Sequence, residues 1–239
     1  MIIFPAMDLW NGDIVKLEAN QHRSVEIVYG KPGEIADRWL GLGAEWLHVV
    51  DLNAALGEGN NLPILSLIQS KAAKTRASIQ WGGGVRNVAG LRAVLDGGAD
   101  RAIVGTKAIK DWAWLVETAT AWPDRIMVSI DGKGRQIMID GWQSTAGVDA
   151  VEFIARANAL PLAGYLYTNV AVEGRLEGVD WTPVRDVVEA STKPVVFSGG
   201  VTTIEDVARF KELGAYGIIA GSALYKGRID FTKAKALAQ

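Results

Sequence analysis

The sequence predicts an α/β fold, a (β/α)8 TIM barrel built from two similar (βα)4 halves. Three observations carry this prediction. Short β-branched apolar runs recur along the whole chain, and each is followed by a longer stretch of helical periodicity. These runs are nearly continuous, as in parallel strands that are buried on both faces. The chain also repeats its glycine-rich motifs at a constant half-length offset.

The elements follow in order along the chain. Eight strands are predicted, over residues 2–8, 46–51, 78–81, 101–104, 126–130, 164–167, 194–198 and 217–220. Helices are predicted between them, for example over 88–95 and 204–213, where apolar residues form one stripe that can cover a sheet. Right-handed crossovers repeated this often close as a barrel, and an open doubly wound sheet is the alternative. We expect one barrel domain over residues 1–239.

The internal repeat relates two sets of turns. Gly83-Gly84 corresponds to Gly199-Gly200, and at the same offset Gly105-Thr106 corresponds to Gly221-Ser222. No gap is needed to keep these matches in register. The function should therefore have a two-fold character.

These four turns follow predicted strands, where the active site of such a barrel lies. Glycines allow backbone N–H groups to approach an anion closely, and a Thr or Ser adds a hydroxyl. Glycine-rich turns are also common as tight connections. Two copies at opposite positions of the barrel favour phosphate binding instead, so we expect a small substrate that carries a phosphate at each end.

Carboxylates follow three of the predicted strands and are the candidate acid and base groups. They are Asp8, Asp51 and Asp131. A carboxylate in a barrel often has a shifted pKa that suits proton transfer, although capping a helix is the alternative role. We expect Asp8 to be catalytic, and for Asp51 and Asp131 a structural role is at least as plausible.

Two further groups could contact the substrate. Trp142 follows Asp140-Gly141 in the connection after the fifth strand, where an indole could lie over a planar heterocycle. Lys16 and Arg23, in the early loop, could meet an anionic substrate, although exposed basic residues are usually only solvated.

Composition limits the partners. The formal net charge is -2, so nucleic acid is an unfavourable partner. With no cysteines and only His22 and His48, we expect no metal site and no cofactor, and proton transfer alone fits best. We also expect no membrane association, because no apolar run approaches the roughly 18 residues of a membrane span. A cytoplasmic monomer is expected, since a barrel buries its own core.

Over essentially the whole chain the sequence resembles the ProFAR isomerase family of histidine biosynthesis. The residues that carry the resemblance are Phe4-Pro5-Ala6-Met7-Asp8-Leu9, Trp46-Leu47-His48-Val49-Val50-Asp51-Leu52, Gly82-Gly83-Gly84-Val85-Arg86, Ile130-Asp131, Asp140-Gly141-Trp142, Tyr167-Thr168, Ser198-Gly199-Gly200-Val201 and Gly221-Ser222-Ala223-Leu224-Tyr225. The related cyclase subunit of imidazole glycerol phosphate synthase usually opens with a cysteine-containing run, which is missing here.

The resemblance implies a cofactor-independent Amadori rearrangement, in which an N-phosphoribosyl aminoaldose becomes an aminoketose. It implies that Asp8 is the general base and that the glycine turns with Thr106 and Ser222 bind the two phosphates. Thr168 matches a threonine beside the general acid. Glu173 stands at the position of that acid, and Gly174 belongs to the substrate-binding set.

The chain departs from the family pattern after the sixth strand. The family typically has Thr-Asp, then two or three residues, then Asp-Gly-Thr-Leu. Here Asn169 replaces the first Asp, Glu173 the second and Arg175 the Thr. We expect Arg175 to lower the pKa of Glu173, which would weaken it as an acid. The early loop also lacks the usual Gln-Gly-Asp-like run and has Glu18-Ala19-Asn20-Gln21-His22 instead.

Three functions therefore remain open. The first is an isomerase of ProFAR. The second is a divergent paralogue that acts on another phosphorylated substrate, such as phosphoribosylanthranilate or a compound outside amino-acid biosynthesis. The third is a phosphoribosyl-binding barrel without catalysis.

Overall fold

The computed structural model describes residues 1–17 and 25–239. Arg23 and the predicted loop Glu18-Ala19-Asn20-Gln21-His22 lie outside the described residues. In the described part there are twelve strands, which are β1 (Ile2–Trp10), β2 (Asp13–Leu17), β3 (Val25–Gly30), β4 (Trp46–Asp51), β5 (Ser78–Gly82), β6 (Arg101–Val104), β7 (Ile126–Lys133), β8 (Gln136–Ile139), β9 (Ser144–Asp149), β10 (Gly164–Asn169), β11 (Val195–Ser198) and β12 (Gly217–Ala220).

Helices follow the barrel strands and cover their outer faces. They are α1 (Pro32–Gly41), α2 (Leu52–Leu56), α3 (Pro63–Thr75), α4 (Val88–Asp96), α5 (Thr106–Lys110), α6 (Trp112–Ala121), α7 (Ala150–Ala157), α8 (Trp181–Ala190), α9 (Ile204–Glu212), α10 (Ser222–Tyr225) and α11 (Phe231–Ala238). The two helices predicted from apolar stripes are α4 and α9. Both begin where a side chain caps the first turn, Asn87 for α4 and Thr203 for α9.

The predicted closed barrel is confirmed. Parallel strands follow one another in the order β1, β4, β5, β6, β7, β10, β11 and β12. Pairing of β12 with β1 and of β7 with β10 closes the ring. These eight strands are the ones predicted from the sequence, although β1, β7 and β10 run on by two or more residues and β11 begins at Val195, after Pro194.

Two β-hairpin extensions at the barrel mouth were not predicted. Strands β2 and β3 follow β1 as antiparallel partners, and strands β8 and β9 follow β7 in the same way. Their residues are largely exposed or half-buried, so the apolar pattern that marks a barrel strand is weak in them. The two hairpins extend from β1 and β7, the first and fifth strands of the barrel, which occupy equivalent positions in the two halves.

Side-chain alternation along the strands determines what faces the barrel interior. Its packed apolar layers consist of Phe4, Ala6, Ile103, Met127, Leu166, Val196 and Ile219. Residues on the outer face of the strands, such as Met7, Val128 and Tyr167, belong to the larger core between the strands and the helices. Because successive strand residues alternate between faces, the next inward position on β1 is Asp8 and on β7, above Ser129, is Asp131.

The opposite end of the barrel is filled by a polar cluster around Arg101, the first residue of β6. Its guanidinium donates to Oε1 of Gln80 at 2.5 and 2.9 Å and lies over the ring of Trp46. Gln80 in turn bonds Nδ1 of His48 at 2.7 Å. Burial and the charge of Arg101 lower the pKa of His48 to about 3, so His48 is neutral and structural.

Candidate active site

The carboxyl ends of the barrel strands form a ring of small and polar side chains. Alternate residues of each strand face the barrel interior, and the last inward-facing positions form this ring. Its members are Asp8, Gly82, Gly105, Asp131, Thr168, Ser198 and Gly221. The register agrees, since Thr168 lies opposite Asp131 on one side and Ser198 on the other. Most of the predicted site residues therefore meet at one mouth.

Asp8 is partly buried on the inner wall of this mouth. Burial raises its pKa to about 7, and the negative charge of Glu173 adds to the rise. A carboxyl with a pKa near 7 is about half ionised at neutral pH, and its ionised form has a higher proton affinity than an ordinary carboxylate, which suits removal of a proton from carbon. Its environment thus suits the predicted general base.

Glu173 lies in the loop after β10 and reaches back to the mouth. Its Oε2 accepts a hydrogen bond of 3.2 Å from the Ser198 hydroxyl. Burial raises the pKa of Glu173 and the charge of Asp131 adds to this, while Ser198 and the N–H of Gly174 oppose it. The expectation that Arg175 lowers this pKa is wrong, because Arg175 is exposed and the burial of the carboxyl dominates.

Asp8 and Glu173 are two buried carboxyls of the same mouth. Burial raises the pKa of each, the charge of Glu173 adds to the rise in Asp8, and the charge of Asp131 adds to the rise in Glu173. Of two such carboxyls, an ionised one can accept a proton and a protonated one can donate it. The mouth therefore holds the two kinds of group that acid–base chemistry needs.

Asp131 is held by hydrogen bonds on both oxygens. Its Oδ1 accepts from Ser129 at 3.1 Å and its Oδ2 accepts from the indole N–H of Trp142 at 2.8 Å. Burial raises the pKa of Asp131, and the hydrogen bonds from Trp142, Ser129 and Thr168 oppose that rise. Asp131 thus anchors the indole of Trp142 at the mouth and lies beside Thr168 on the neighbouring strand.

Trp142 is placed by an unusual turn. Asp140, Gly141 and Trp142 all have positive φ, and the indole remains 43% exposed although its N–H reaches into the mouth. The side chain thus lies at the rim with one edge anchored and a large apolar surface open to solvent. This placement suits the predicted contact with a planar ring.

Four glycines of the predicted phosphate turns are required by packing. A Cβ on Gly83 would lie 2.2 Å from the carbonyl oxygen of Asp51, and one on Gly199 would lie 2.6 Å from that of Asn169. Gly84 and Gly200 are equally crowded, by Ala54 and by the backbone of Gly178. These four glycines let each turn lie against the preceding loop, so close packing explains them as well as ligand approach does.

Gly105 and Gly221 show the repeat in their backbone. Their torsions are φ -104°, ψ -112° and φ -110°, ψ -99°, so both take the same uncommon conformation before α5 and α10. In each, the position of a Cβ is only in ordinary contact with a neighbour. The conformation, rather than crowding, favours glycine here.

Thr106 and Ser222 are each approached by a hairpin from the other half of the barrel. The Thr106 hydroxyl accepts a hydrogen bond of 3.2 Å from the N–H of Asp140, which precedes β9. Its own proton stays available to a phosphate oxygen. Ser222 lies beside Tyr29 of the β2–β3 hairpin, and it opposes the rise that burial causes in the pKa of Tyr29. We call this arrangement the crossed hairpins.

Lys16 extends from β2 over the loop after β10. Its ammonium pairs with Glu26 of β3, and its Cε lies 4.0 Å from the position that a Cβ on Gly174 would take. Lys16 and Gly174, both predicted to contact substrate, thus lie close to each other. Asn169, by contrast, is buried and uses its side chain locally, accepting from the N–H of Ala171 at 3.1 Å.

Asp51 has a structural role. Leu47, Val49 and Asp51 are alternate residues of β4 and therefore share one face of the strand. Leu47 and Val49 pack between the barrel and its helices, so the Asp51 side chain points away from the mouth. Its oxygens accept from the N–H of Ala54 at 3.0 Å and from the N–H and side-chain amide of Asn61 at 2.5 and 2.8 Å. It therefore caps α2 and anchors the following loop.

We expect Asp51→Asn to lower the free energy of unfolding by about 2 kcal/mol, because an amide NH2 would then face N–H donors in a buried place. Urea unfolding measures this. The matched control is Asp230→Asn, because Asp230 also caps a helix but is exposed and accepts one bond, from Lys233. That change should cost less than about 0.5 kcal/mol, since Asn caps as well as Asp. Equal losses in both variants would contradict the role given to Asp51.

Sequence reasoning missed Ser129 and Tyr29 as site residues, and it included Ser198 only as part of a glycine turn, without a contact to Glu173. Ser198 and Ser129 share the inward parity of the ring, so the strand register was the signal that could have found them. Tyr29 offered no such signal, because the predicted elements did not include β3.

The described ranges hold no group of three or more His, Cys, Asp or Glu side chains arranged to bind a metal ion. Nor does any helix in residues 1–17 and 25–239 have the length and apolarity needed to cross a membrane.

Comparison with known proteins assigns the chain to a family. The family model described as histidine biosynthesis protein matches residues 2–230. A relative from Myxococcus xanthus is 40% identical over 230 residues, which cover 96% of each chain. One from Halobacterium salinarum is 39% identical over 236 residues, covering 98% of this chain and 96% of its own.

Both relatives are named 1-(5-phosphoribosyl)-5-((5-phosphoribosylamino)methylideneamino)imidazole-4-carboxamide isomerase, and so is one from Methanocaldococcus jannaschii that is 36% identical over 98% of each chain. This is the systematic name of an isomerase of ProFAR, so the predicted family is confirmed. The chain belongs to the histidine biosynthesis protein family.

Proposed function

We propose that this protein is the isomerase that converts ProFAR, a bisphosphorylated N-phosphoribosyl aminoimidazole, from its aminoaldose into its aminoketose form. The observation that carries the proposal is the placement of Asp8 and Glu173 at one barrel mouth, where burial raises the pKa of each carboxyl. The isomerase names of the full-length relatives support it.

Proton transfer by two groups accounts for the reaction. Glu173 donates its proton to the ring oxygen of the aminoaldose, the bond from C1 to that oxygen breaks, and the nitrogen lone pair forms a C1=N double bond. Asp8 then removes the proton from C2, and the electrons of that bond form an enolamine. Protonation at C1 and loss of the hydroxyl proton at C2 give the aminoketose, so no oxidant or reductant is consumed.

Other residues of the mouth orient the substrate. Thr168 lies between the two strands that bear Asp131 and Ser198, next to the acid. Trp142, whose indole is anchored to Asp131, covers the imidazole ring at the rim. Lys16 lies over Gly174 at the mouth and contacts an anionic part of the substrate.

Two phosphates bind on opposite sides of the mouth. One lies on Gly83, Gly84 and the turn of Gly105 and Thr106, and the other lies on the equivalent glycines with Gly221 and Ser222. The equal torsions of Gly105 and Gly221 support two equivalent sites. Binding then needs both halves of the barrel.

Crystals grown or soaked in inorganic phosphate should show one anion at each of these turns. Their positions should be related by the internal two-fold of the barrel. Ordered turns with an anion at neither of them would contradict the proposed phosphate sites. An anion at one turn only, still at saturating phosphate, would contradict their two-fold character.

Turnover of ProFAR by the purified chain is the direct test of the proposed function. A spectrophotometric assay of ProFAR consumption should give a rate that depends on Asp8. Absence of turnover at saturating ProFAR would overturn the assignment and would favour the paralogue or the binding barrel.

A further inference from the structure

The hydroxyl of Tyr29 is buried and has no hydrogen-bond partner among the described residues. Buried polar groups in folded proteins are nearly always hydrogen-bonded, so an unpaired one needs an explanation. Tyr29 lies on β3, whose side chains are mostly half-buried or exposed. A tyrosine that served only packing there would lose nothing as phenylalanine.

A β-bulge determines where Tyr29 points. In the pairing of β2 with β3, Ile14 lies opposite Gly30 and the next residue, Val15, lies opposite Val28. Tyr29 is therefore the extra residue of the bulge. Bulges bend a strand and redirect one side chain, and they are frequent beside active sites.

An aromatic stack holds the ring of Tyr29 in place. Its ring lies 3.9 Å from that of Tyr225, at an interplanar angle of 13°. The Tyr225 hydroxyl donates to the carbonyl of Ala6 at 2.8 Å and accepts from the indole N–H of Trp39 at 3.3 Å. Tyr225 is thus fixed to the barrel wall two residues before Asp8, and it fixes Tyr29 in turn.

The neighbours of Tyr29 belong to the candidate site. Burial raises the pKa of Tyr29, the charges of Glu26 and Asp8 add to this, and the Ser222 side chain opposes it. The phenol therefore keeps its proton at neutral pH and is a hydrogen-bond donor. Ser222 lies beside this hydroxyl, and Tyr225, on which the ring of Tyr29 stacks, belongs to the same short helix as Ser222, so a group bound at Ser222 comes within reach of the phenol.

The crossed hairpins give an internal comparison. At Thr106 the β8–β9 hairpin supplies the N–H of Asp140, which is satisfied by the Thr106 oxygen. At Ser222 the β2–β3 hairpin supplies the hydroxyl of Tyr29, for which the described part of the chain offers no hydrogen-bond partner. The two ends of the mouth are therefore equivalent in architecture but differ in the number of free donors.

We propose that the Tyr29 hydroxyl donates a hydrogen bond to the phosphate bound at Gly221 and Ser222, and that this end of the mouth consequently holds its phosphate more tightly than the end at Thr106. The inference rests on the proposed function, since it places a phosphate of the substrate at that turn. Tyr29 is then a binding residue contributed by the opposite half of the barrel.

Tyr29→Phe tests this inference. The KM for ProFAR should rise roughly tenfold or more, the size expected for losing a hydrogen bond to a charged group. The kcat should stay within about threefold, because the phosphate contact is the same in ground and transition states. The thermal unfolding midpoint should not fall, because no hydrogen bond within the described residues is lost.

Tyr165→Phe is the matched control. The Tyr165 hydroxyl is also buried, but it lies in the outer core and donates to Ile154 or Asn158. Its loss should lower the unfolding midpoint and leave the KM unchanged. A Tyr29→Phe variant that follows this pattern instead would overturn the inference, and so would a fall in kcat at unchanged KM.

A double-mutant cycle locates the phosphate that Tyr29 contacts. Donors to one phosphate are coupled, so the effects of Tyr29→Phe and Ser222→Ala on KM should deviate from multiplication by more than about threefold. Tyr29→Phe combined with Thr106→Ala should multiply within about twofold. Coupling to Thr106 alone would overturn the assignment.

Calorimetric titration with inorganic phosphate separates this inference from the proposed function. Wild-type protein that binds phosphate but does not convert ProFAR removes only the proposed function. A Tyr29→Phe variant with wild-type phosphate affinity at the site weakened by Ser222→Ala removes only the role of Tyr29.

Discussion

Replacing Asp8 by Asn should abolish turnover of ProFAR, with kcat lowered by about 10³-fold or more. The amide keeps the shape of the side chain and loses the proton acceptor. Affinity for phosphorylated ligands should stay within about tenfold, because binding depends mainly on the phosphate turns. Steady-state kinetics and equilibrium titration of the variant measure the two quantities. Retention of more than a tenth of the wild-type kcat would remove Asp8 from the role of base.

We do not expect unfolding to cause that loss. The pKa of Asp8 in the folded state is about 7, far above that of an unfolded aspartate. The folded state therefore disfavours the ionised carboxylate, and stability falls as the pH rises from the unfolded pKa to about 7. At pH 8 the Asn variant should be at least as stable as the wild type.

The pKa of Asp8 also sets the pH dependence of kcat/KM. As a base Asp8 must be ionised, so kcat/KM should rise as the pH increases through about 7. In Glu173→Gln the residual activity should rise at a lower pH, because the negative charge that raises the pKa of Asp8 is gone. An unchanged acidic limb in that variant would show that another group controls it.

Glu173→Gln should lower kcat by roughly 10²-fold or more, the usual contribution of a general acid. The amide can still accept from Ser198 but has no proton to give to the ring oxygen. Glu173→Asp retains an acid and is the matched control, which should keep turnover of ProFAR. Loss of activity in both variants alike would point to the geometry of the loop instead.

Substitution of Arg175 distinguishes an isomerase of ProFAR from a paralogue that acts on another phosphorylated substrate. Its side chain is exposed, and the pKa of Glu173 is raised despite its presence. Arg175→Thr should therefore leave ProFAR turnover within about threefold, as is usual for a surface change. Poor wild-type turnover of ProFAR that Arg175→Thr increases, with activity on phosphoribosylanthranilate, would support the paralogue.

The barrel was predictable from the sequence because its strands are continuous apolar runs that end in recognisable turns. Asp8 and Asp131 could be found for the same reason, as polar residues that end such runs. The hairpins could not, since β3 alternates weakly and gains its order by pairing with β2. The direction of the pKa shift in Glu173 depended on burial by loops distant in sequence, and the neighbouring charge of Arg175 was a misleading guide.

The features of the site that the sequence could not predict depend on which face of a strand each side chain occupies and on how the loops pack. Asp51 and Asp8 look alike in sequence, at the end of an apolar run, but one faces the helices and the other the interior. Knowing which side of the barrel a strand presents requires its register with both neighbours. The environment of Tyr29 required even more, since a single inserted residue in one hairpin sets its direction.

The crossed hairpins have a consequence for how the two halves depend on each other. If the chain were cut between α6 and β7, the first piece would carry Tyr29 but lack Ser222, and the second would carry Asp140 but lack Thr106. Each piece would thus hold the complement to a turn found only on the other. Two polypeptides produced separately would have to associate before either turn was complete, and an ancestral half barrel would have needed a second copy of itself to reach the same state.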